Sequence, residues 1–316
     1  MPTILGDEDV ARLIDMATAI EAVEQAFQAR IAGTLVAPPR HDVAFPGHGN
    51  LVFTVGGVVG KDAVAGFRVY DTFEGDSPQR SQMVAVWDAR TGALQGVVLG
   101  DRLGRLRTGA IGGVAIRYMA SPTAEIVAVI GSGAQARTQL EAAAAVRRLR
   151  AVRVYSRSAE NRAAFASEMA GNLGLAVTPV ATARDAVDGA DIVLCATTSA
   201  VPVIDAAWLA PNAHINTVGP KTRTQHELGP EVAERATVIA TDSLEQSRAY
   251  REPFFLDGSP AMARMIDLAE LVSGNAVARR AGDAMTLFCS VGLAGTEVLV
   301  AAAALRRAEE RRSRGS

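Results

Sequence analysis

The stretch that decides the fold of this 316-residue chain is Ile126-Val127-Ala128-Val129-Ile130-Gly131-Ser132-Gly133-Ala134-Gln135-Ala136. Five apolar residues run without a break and pass directly into the pattern Gly131-x-Gly133-x-x-Ala136. A helical stretch follows over residues 137–149. A strand, a glycine-rich turn and a helix in this order are the context that a dinucleotide-binding turn requires. The sequence therefore predicts nucleotide binding here, and a purely structural turn is the alternative.

Each small residue of this turn has its own physical role. Gly131 permits the tight turn, Gly133 lets the backbone approach a pyrophosphate, and Ala136 lets helix and strand pack closely. The N-terminus of the helix then faces the phosphates. We therefore predict that Gly131, Gly133, Ala134 and Gln135 bind the cofactor.

The end of the next strand distinguishes the two nicotinamide cofactors. An NAD enzyme usually places an acidic residue there, on the ribose 2′-hydroxyl. This chain has Ser156 and Arg157 instead, and its first acidic residue after the strand is Glu160. A hydroxyl and a guanidinium suit a 2′-phosphate. The sequence thus predicts NADP, with NAD as the alternative, unless Arg157 is simply solvated at a helix start.

Strands and helices alternate along the rest of this region. The strands are almost continuously apolar, which is typical of a parallel sheet covered by helices on both faces. The predicted strands cover residues 126–130, 151–155, 176–180, 192–196, 213–218 and 237–240. The predicted fold class is therefore α/β, with a Rossmann dinucleotide-binding domain over residues 121–292.

The chain before residue 120 has a different organisation. A helix is predicted from Asp15, which can cap it, to Ile31, and Gly33 ends it. Strands follow without helices between them, which favours an antiparallel sheet. These strands cover residues 51–55, 63–70, 83–87 and 94–99, with a turn at 75–78, before a helix over 101–119. We expect the alanine-rich C-terminal helix to return to this region and complete a discontinuous α+β domain of residues 1–120 and 293–316.

The composition excludes several classes of protein. Hydrophobic residues are 49% and charged residues 21% of the chain, an ordinary globular balance. The net charge of −2 gives no bulk attraction to nucleic acid or to an acidic membrane. Cys195 and Cys289 form no cluster with histidine, so no metal site is expected. The sequence shows no membrane-length apolar stretch and no signal peptide, so we expect a cytoplasmic protein.

Three arginines of the first region are candidate anion ligands. Arg40 follows two prolines, Arg68 lies between apolar neighbours in a predicted strand, and Arg107 precedes a run of small residues. Isolated arginines are usually solvated, which is the alternative for each of them. A guanidinium buried in a strand needs an anion, so Arg68 is the best candidate on this argument.

Five segments together make the sequence similar to a known family. They are Pro39-Arg40, Leu106-Arg107-Thr108-Gly109-Ala110, Val129-Ile130-Gly131-Ser132-Gly133-Ala134-Gln135-Ala136, Val154-Tyr155-Ser156-Arg157 and Ser290-Val291-Gly292-Leu293-Ala294. Over nearly its whole length the chain resembles the ornithine cyclodeaminase/mu-crystallin family. The resemblance implies a Rossmann domain, a substrate and dimerisation domain, and a homodimer. It also implies NAD(P)-dependent hydride exchange at the α-carbon of an amino or imino acid.

The resemblance assigns roles to single residues. Arg40 and Arg107 match arginines that hold the substrate carboxylate, and bidentate pairing explains the choice of residue. Thr108 matches a residue beside the cofactor. The other predicted cofactor ligands lie in the segment near the nicotinamide and in strand-end loops: Ser290, Val291, Gly292, Thr197, Thr198, Val218 and Gly219.

Two positions depart from the family pattern. Arg68 stands where the family commonly has a lysine, and Lys221 takes the place of an acidic residue of the cyclodeaminases. That acid would bind and deprotonate the distal ammonium of a diamine, whereas Lys221 would repel the ammonium. Arg68 keeps its proton at neutral pH, so it can stabilise an anion but is a poor acid or base. Lys221 can transfer a proton if burial and the arginines lower its pKa.

These departures lead to a hypothesis about the substrate. Arg40, Arg68, Arg107 and Lys221 are expected to form one cationic pocket, with Lys221 and Arg68 as its catalytic residues. Such a pocket suits a substrate with a second acidic group, for example a dicarboxylic imino or keto acid. The alternative is that Arg68 and Lys221 pair with neighbouring acids, namely Asp71, Glu74 or Glu227.

Three functions follow from the resemblance. The favoured one is an imine reductase or amino-acid dehydrogenase. An authentic ornithine cyclodeaminase, which makes proline and ammonia, is disfavoured by Lys221. A non-catalytic NADP or small-ligand binding protein of the mu-crystallin type is disfavoured by the three arginines. Loss of NADPH absorbance when substrate is added distinguishes turnover from binding alone.

Overall fold

The computed structural model of the chain describes residues 2–61, 63–73, 82–278 and 284–314. The chain folds into two compact units, the first of Met1–Arg107 with Leu293–Ser316 and the second of Thr108–Gly292. This division lies between Arg107 and Thr108, inside the continuous helix Arg102–Met119. The sequence predicted the boundary at residue 120, after this helix. The predicted turn at 75–78, and Glu74, lie outside the described residues.

Strands and helices alternate along the second unit, whereas the first unit is rich in strands. The strands are β1 (Thr3–Leu5), β2 (Leu35–Val36), β3 (His41–Phe45), β4 (Gly49–Val58), β5 (Val64–Asp71), β6 (Met83–Asp88), β7 (Leu94–Leu99), β8 (Ile126–Ile130), β9 (Ala151–Tyr155), β10 (Val177–Pro179), β11 (Ile192–Cys195), β12 (His214–Thr217), β13 (Val238–Thr241), β14 (Ile266–Asp267) and β15 (Thr286–Cys289). The helices are α1 (Asp7–Leu13), α2 (Met16–Ile31), α3 (Arg102–Met119), α4 (Ala134–Val146), α5 (Ala159–Leu173), α6 (Ala183–Val187), α7 (Pro230–Arg235), α8 (Leu244–Arg248), α9 (Pro260–Arg264), α10 (Leu268–Val272) and α11 (Thr296–Arg314).

The first unit is built on a sheet in the order β1-β7-β6-β5-β4-β2, with β3 also paired to β4. Neighbouring strands run antiparallel, except that β1 runs parallel to β7. The antiparallel strands β4 to β7 are those that the sequence predicts. Strands β1 to β3 carry no comparable pattern, because β1 and β2 are very short and β3 is exposed along its whole length.

Two helices pack with this sheet. Asp15 caps α2 as predicted, since its carboxylate accepts a hydrogen bond from the Thr18 N–H at 2.9 Å. The C-terminal helix α11 lies in the same unit and packs against α2 and against β4 to β7. A Cβ atom at Gly66 would lie 2.2 Å from the Ala85 carbonyl oxygen and 3.1 Å from Val298, so glycine lets α11 approach the sheet closely.

The opposite face of the same sheet is apolar and exposed. The pairing register places Val55, Phe67, Val97 and Ile4 on this one face. Ile4 is 68% exposed and Val55 52%. The ring of Phe67 lies beside that of Trp87, with 5.7 Å between centroids. An exposed apolar surface of this kind often marks an interaction site.

The second unit contains an eight-stranded parallel sheet in the order β10-β9-β8-β11-β12-β15-β13-β14. Alternate residues of its central strands enter different cores. In β8, Val127 and Val129 pack on one face of the sheet, and Ala128 and Ile130 pack on the other. Burial on both faces explains why these strands are apolar throughout. The predicted α/β class with a parallel sheet is confirmed.

Two local predictions in this unit are wrong. Helix α4 begins at Ala134 rather than at residue 137, because Gly133 serves as its N-cap and no linker separates the turn from the helix. Strand β15 lies between β12 and β13, whereas the predicted series of strands closed at residue 240. Only four residues long, β15 is not flanked by a helical pattern that would mark another βα unit.

Two kinds of feature are absent from the described residues. No described helix has the length and apolar character needed to cross a membrane. No group of three or more histidine, cysteine or acidic side chains in the described ranges is arranged to hold a metal ion.

Candidate functional site

The glycine-rich turn joins β8 to α4 in the second unit. Gly131 has a φ of 113°, and a Cβ atom there would lie 2.4 Å from the Ala196 carbonyl oxygen, so only glycine fits. A Cβ atom at Gly133 would meet no atom within 4 Å. The fold itself therefore does not require glycine at position 133, whereas a ligand that approaches the backbone would require it.

The N-terminus of α4 has the properties of an anion-binding end. Its N-cap, Gly133, has no side chain to accept hydrogen bonds from the first-turn N–H groups. Arg137 steadies the turn by donating to the Ser132 carbonyl oxygen at 2.8 Å. Within the described residues, the side-chain oxygen of Gln135 is buried without a hydrogen-bond partner. Exposed N–H groups at a helix N-terminus are well suited to a phosphate.

A cavity of about 400 Å³ lies beside this turn. It brings together six predicted cofactor ligands, namely Gly131, Gly133, Ser156, Arg157, Thr197 and Thr198. The Arg157 side chain is exposed and makes no hydrogen bond or ion pair with any described residue. Its guanidinium is therefore available to a ligand in the cavity.

Glu227 organises the strand ends next to this cavity, a role that the sequence alone does not indicate. The side chain is fully buried, and its carboxylate accepts the N–H groups of Val218 at 3.0 Å and Gly219 at 2.6 Å. Lys221, which is 3% exposed, donates from Nζ to the Gly219 carbonyl oxygen at 2.6 Å. Val218 and Gly219 follow β12 as predicted, but their backbone N–H groups are already occupied.

The segment after β15 is held in a similar way. The carboxylate of Asp242 accepts the N–H groups of Val291 at 2.7 Å and Gly292 at 2.8 Å, and the Ser290 hydroxyl lies 3.4 Å away. Asp242 is fully buried directly after β13. Ser290 and Gly292 therefore lie at the carboxyl end of a central parallel strand, where ligands of such sheets bind.

Thr108 is part of a buried polar network in the second unit. Its carbonyl oxygen accepts a hydrogen bond from Gln139 Nε2 at 3.0 Å. Gln139 Oε1 accepts from Asn216 at 3.3 Å, and Asn216 Oδ1 lies 2.8 Å from His214 Nε2. These contacts tie α3, α4 and β12 together. His214 thus has a structural role, since its ring nitrogens contact Thr286 and Asn216.

The two cysteines lie at the ends of central strands and are fully buried. Burial raises the pKa of the Cys289 thiol to about 12. Burial also raises the pKa of the Cys195 thiol, and the charge of Glu227 adds to the effect. Both side chains therefore stay protonated at neutral pH and behave as small apolar groups.

Arg68 lies on β5 in the first unit and is buried. Its Nε donates to the Gln82 side-chain oxygen at 2.9 Å, and its Nη2 donates to the same oxygen. The guanidinium lies over the ring of Tyr70, 4.3 Å from the centroid. Burial and the nearby charge of Arg107 lower the pKa of Arg68 to about 10, so the side chain remains a cation at neutral pH.

Arg40 and Arg107 complete a cationic cluster with Arg68. Arg40 donates to the Tyr70 hydroxyl at 3.3 Å. Arg107 is 8% exposed, and its Nε has no hydrogen-bond partner among the described residues. A buried guanidinium with an unsatisfied N–H group is costly unless an anion binds it. Arg107 is therefore the clearest candidate anion ligand in this unit.

One buried acid, from the C-terminal helix, adjoins the cationic cluster. Glu297 accepts hydrogen bonds from the hydroxyls of Thr54 and Thr296. Burial by itself would raise its pKa, but the charges of Arg107 and Arg68 and the Thr54 hydrogen bond hold the pKa below its usual value. Glu297 is therefore ionised at neutral pH, and three guanidinium groups beside one carboxylate leave an excess of positive charge.

The alternative pairings of Arg68 and Lys221 can be judged from these contacts. Arg68 directs its guanidinium at the Gln82 side-chain oxygen and the Tyr70 ring. Glu227 directs its carboxylate oxygens at backbone and hydroxyl donors. The three arginines belong to the first unit and Lys221 to the second. That Lys221 joins the arginines in one pocket stays a prediction.

Comparison with known proteins relates the whole chain to one family. The family model described as "Ornithine cyclodeaminase/mu-crystallin family" matches residues 2–312. The ketimine reductase mu-crystallin of Rattus norvegicus is 31% identical over 234 residues, which cover 73% of this chain and 71% of that protein.

Two solved structures are similar over almost their full length. The Δ(1)-pyrroline-2-carboxylate reductase of Thermococcus litoralis, in complex with NADH and L-proline, has a TM-score of 0.87 at 30% identity and covers 98% of both chains. An archaeal alanine dehydrogenase dimer with bound NAD has a TM-score of 0.89 at 27% identity, and the match covers 98% of this chain and 97% of that one.

Proposed function

The chain belongs to the ornithine cyclodeaminase/mu-crystallin family, and from that premise we propose that it transfers a hydride between NAD(P)H and the α-carbon of an imino or amino acid. The observation that carries the proposal is the presence, in one chain, of a cavity at a glycine turn and a buried cluster of arginines. The cavity supports the binding of a nucleotide, and the cluster supports the binding of a carboxylate.

NADP is the proposed cofactor, with NAD as the alternative. Gly131, Gly133, Ala134 and Gln135 would hold the pyrophosphate at the start of α4. The exposed guanidinium of Arg157, next to Ser156 in the cavity lining, supports a 2′-phosphate ligand.

The remainder of the cofactor is proposed to lie along the strand ends. A bound nicotinamide supplies the hydride or accepts it. The residues that would contact this part of the cofactor are Thr108, Thr197, Val218, Gly219, Ser290 and Gly292. Since Val218 and Gly219 use their N–H groups within the protein, they would contribute side-chain and carbonyl contacts instead.

Arg40, Arg68 and Arg107 are proposed to bind the substrate carboxylate. The unsatisfied Nε of Arg107 supports this role most directly, because a bidentate carboxylate would satisfy it. Arg68 stays charged and already contacts Gln82 and Tyr70. It would therefore stabilise negative charge rather than transfer a proton.

The proposed substrate is an imino acid with a second acidic group, and Lys221 is its proposed partner. When an imine is reduced, the carbon takes the hydride and the nitrogen takes a proton, so the C=N bond becomes single. Lys221 would hold that proton on Nζ, a position that the Gly219 carbonyl oxygen fixes. The reverse reaction, amino-acid oxidation, uses the same groups.

We also propose that the chain forms a homodimer. The apolar face of the first unit's sheet supports this, because Ile4, Val55 and Leu99 are exposed on it in the single chain. One relative was solved as a dimer. A second copy that covers this face would bury its apolar side chains.

A panel of imines tests the proposed function. Each imino acid, with and without a second carboxylate, is mixed with NADPH or NADH, and the absorbance of the reduced cofactor is followed. We expect oxidation with a preference for NADPH and for dicarboxylic imines. Rapid conversion of ornithine to proline and ammonia, with no imine reduction, would contradict the proposal.

A further inference from the structure

Glu227 lies at the carboxyl ends of two neighbouring parallel strands, β11 and β12. Its Oε2 accepts hydrogen bonds from the Thr197 N–H and from the Thr197 hydroxyl, both at 2.7 Å. Thr197 lies two residues after Cys195, the last residue of β11. One carboxylate oxygen therefore fixes both the backbone and the side chain of the same residue.

The other oxygen of Glu227 fixes the end of β12. Oε1 accepts from the Thr217 hydroxyl at 2.8 Å, the Val218 N–H at 3.0 Å and the Gly219 N–H at 2.6 Å. A carboxylate has about four lone-pair sites, so five donors saturate it. An amide side chain could not take all five donors, because it has only one acceptor oxygen.

These contacts bear on the cavity next to the glycine turn. Thr197 lines that cavity, and its Cγ2 atom lies 3.3 Å from the Cβ position of Gly131. The backbone carbonyl of Glu227 also accepts the N–H of Val203, another lining residue, at 2.9 Å. Glu227 thus fixes the cavity lining at two separate points, Thr197 and Val203.

We propose that Glu227 is a positioning residue for the nucleotide, which sets the cavity wall through Thr197 without itself contacting the ligand. This inference rests on the proposed nucleotide site. The negatively charged carboxylate of Glu227 accepts hydrogen bonds from backbone N–H groups at the two strand ends. The cofactor affinity, rather than the chemical step, should therefore depend on this carboxylate.

The close packing around Gly219 also indicates, independently of the hydrogen bonds, that Glu227 holds the two strand ends together. A Cβ atom at Gly219 would lie 2.3 Å from the Thr197 carbonyl oxygen and 2.5 Å from Glu227 Cδ. The two strand ends and the carboxylate therefore pack in direct contact, and a change in one displaces the others.

The test compares the variant Glu227→Gln with wild type and with Asp267→Asn. Asp267 is a matched control, because it too is a buried acid that accepts a backbone N–H, that of Ala269 at 3.0 Å, but it does not line the cavity. The fluorescence of NADPH and NADH measures the Kd of each protein. Steady-state kinetics with the cofactor concentration varied at a saturating concentration of imino acid measure kcat and the KM for cofactor.

For E227Q we expect the Kd and the cofactor KM to rise about tenfold or more, since at least two buried donors lose their acceptor. We expect kcat at saturating cofactor to stay within about threefold of wild type, and D267N to bind NADPH like wild type. The variant Thr197→Val keeps the shape of the side chain and removes one donor. It should raise Kd in the same direction by about threefold, which tests the inference even if E227Q does not fold.

Other outcomes would overturn the inference. If T197V and folded E227Q bind NADPH within twofold of wild type, Glu227 serves the fold and not the site. If D267N weakens binding as much as E227Q, the effect is one of general destabilisation. If the wild-type protein binds neither nucleotide, the proposed function fails first, and the inference fails with it.

Discussion

Arg107 is the proposed substrate ligand whose buried Nε has no hydrogen-bond partner among the described residues. The substitution Arg107→Met keeps an apolar stem and removes the charge and the donors. We expect kcat/KM for the imino acid to fall about 100-fold, since charge-assisted hydrogen bonds to a carboxylate contribute about 3 kcal/mol. Steady-state kinetics at saturating NADPH measure the change.

Arg105→Met is the matched control for this prediction. Arg105 lies on the same helix, but it is exposed and pairs with Asp101 at 2.9 Å. R105M should keep the wild-type kcat/KM, and both variants should keep the wild-type affinity for NADPH. Equal kcat/KM values for R107M and R105M would remove Arg107 from the substrate site.

Glu297 couples the stability of the first unit to pH. Its folded-state pKa lies below the ordinary value of 4.5, so its stabilising contribution is complete above pH 4.5 and is lost as the pH falls through the folded pKa. The substitution Glu297→Gln removes this dependence and leaves Arg68 and Arg107 without their buried counter-charge. We expect E297Q to unfold more easily than wild type near neutral pH.

The difference in unfolding free energy between the two proteins should narrow as the pH drops below 4.5. Urea unfolding of wild type and E297Q over a series of pH values measures it. A difference that stays constant or widens in acid would show that Glu297 is not held ionised by the arginines.

Among the elements, the turn between β8 and α4 contains a glycine, Gly133, that a ligand would require and the fold does not. A Cβ atom at Gly133 would meet nothing within 4 Å, so Gly133→Ala should leave the melting temperature near that of wild type. The added methyl group would obstruct the approach of a pyrophosphate to the backbone. We expect the Kd for NADPH, measured by fluorescence, to rise about tenfold.

Gly171→Ala provides the comparison for the turn. A Cβ atom at Gly171 also meets nothing within 4 Å, but this residue lies within α5 and not in the cavity lining. G171A should bind NADPH like wild type. If G133A does the same, the glycine turn is structural, which is the alternative that the sequence left open.

The predictability of the elements follows from their burial. The strands around the glycine turn are buried on both faces, so an unbroken apolar run marks each of them in the sequence. Strand β3 has no buried face, and β15 is short and follows no helical pattern, so neither is visible in the sequence. Helix α4 begins earlier than predicted because Gly133, although it lacks a side chain, can serve as an N-cap.

In the candidate site, the glycines and arginines could be predicted from the sequence, but the buried acids could not. Its glycines and arginines stand out because their residue types have few structural explanations in their positions. Glu227, Asp242 and Glu297 do not stand out, since their partners are backbone N–H groups and hydroxyls that tertiary folding brings together. One signal was present for Glu297, which is an acid within an apolar, alanine-rich helix.

At the scale of the whole molecule, the apolar sheet face of the first unit predicts the assembly state. The substitution Val55→Glu places a charge on this face, where burial against a second copy would be costly. We expect the wild-type protein to sediment as a dimer and V55E as a monomer.

Val201→Glu is the control for assembly, because Val201 is 65% exposed in the second unit and lies off this sheet. V201E should remain a dimer. A monomeric wild-type protein, or a V55E variant that stays dimeric, would show that this face is not the interface.

The net charge of the whole chain gives no hint of its local charge distribution. A formal charge of −2 includes a cluster of three arginines in the first unit and two fully buried acids at the strand ends of the second. The proposed reaction needs both features, since the arginines would bind the carboxylate and the strand ends would bind the cofactor.

Transfer of deuterium from the nicotinamide to the α-carbon would demonstrate the proposed reaction. NADPH with deuterium in place of both hydrogens at the nicotinamide carbon that donates the hydride is incubated with a cyclic or dicarboxylic imino acid, and the product is analysed by mass spectrometry. We expect an amino acid with one deuterium at its α-carbon and an equal amount of NADP. Binding of NADPH with no deuterium in any amino acid would contradict it.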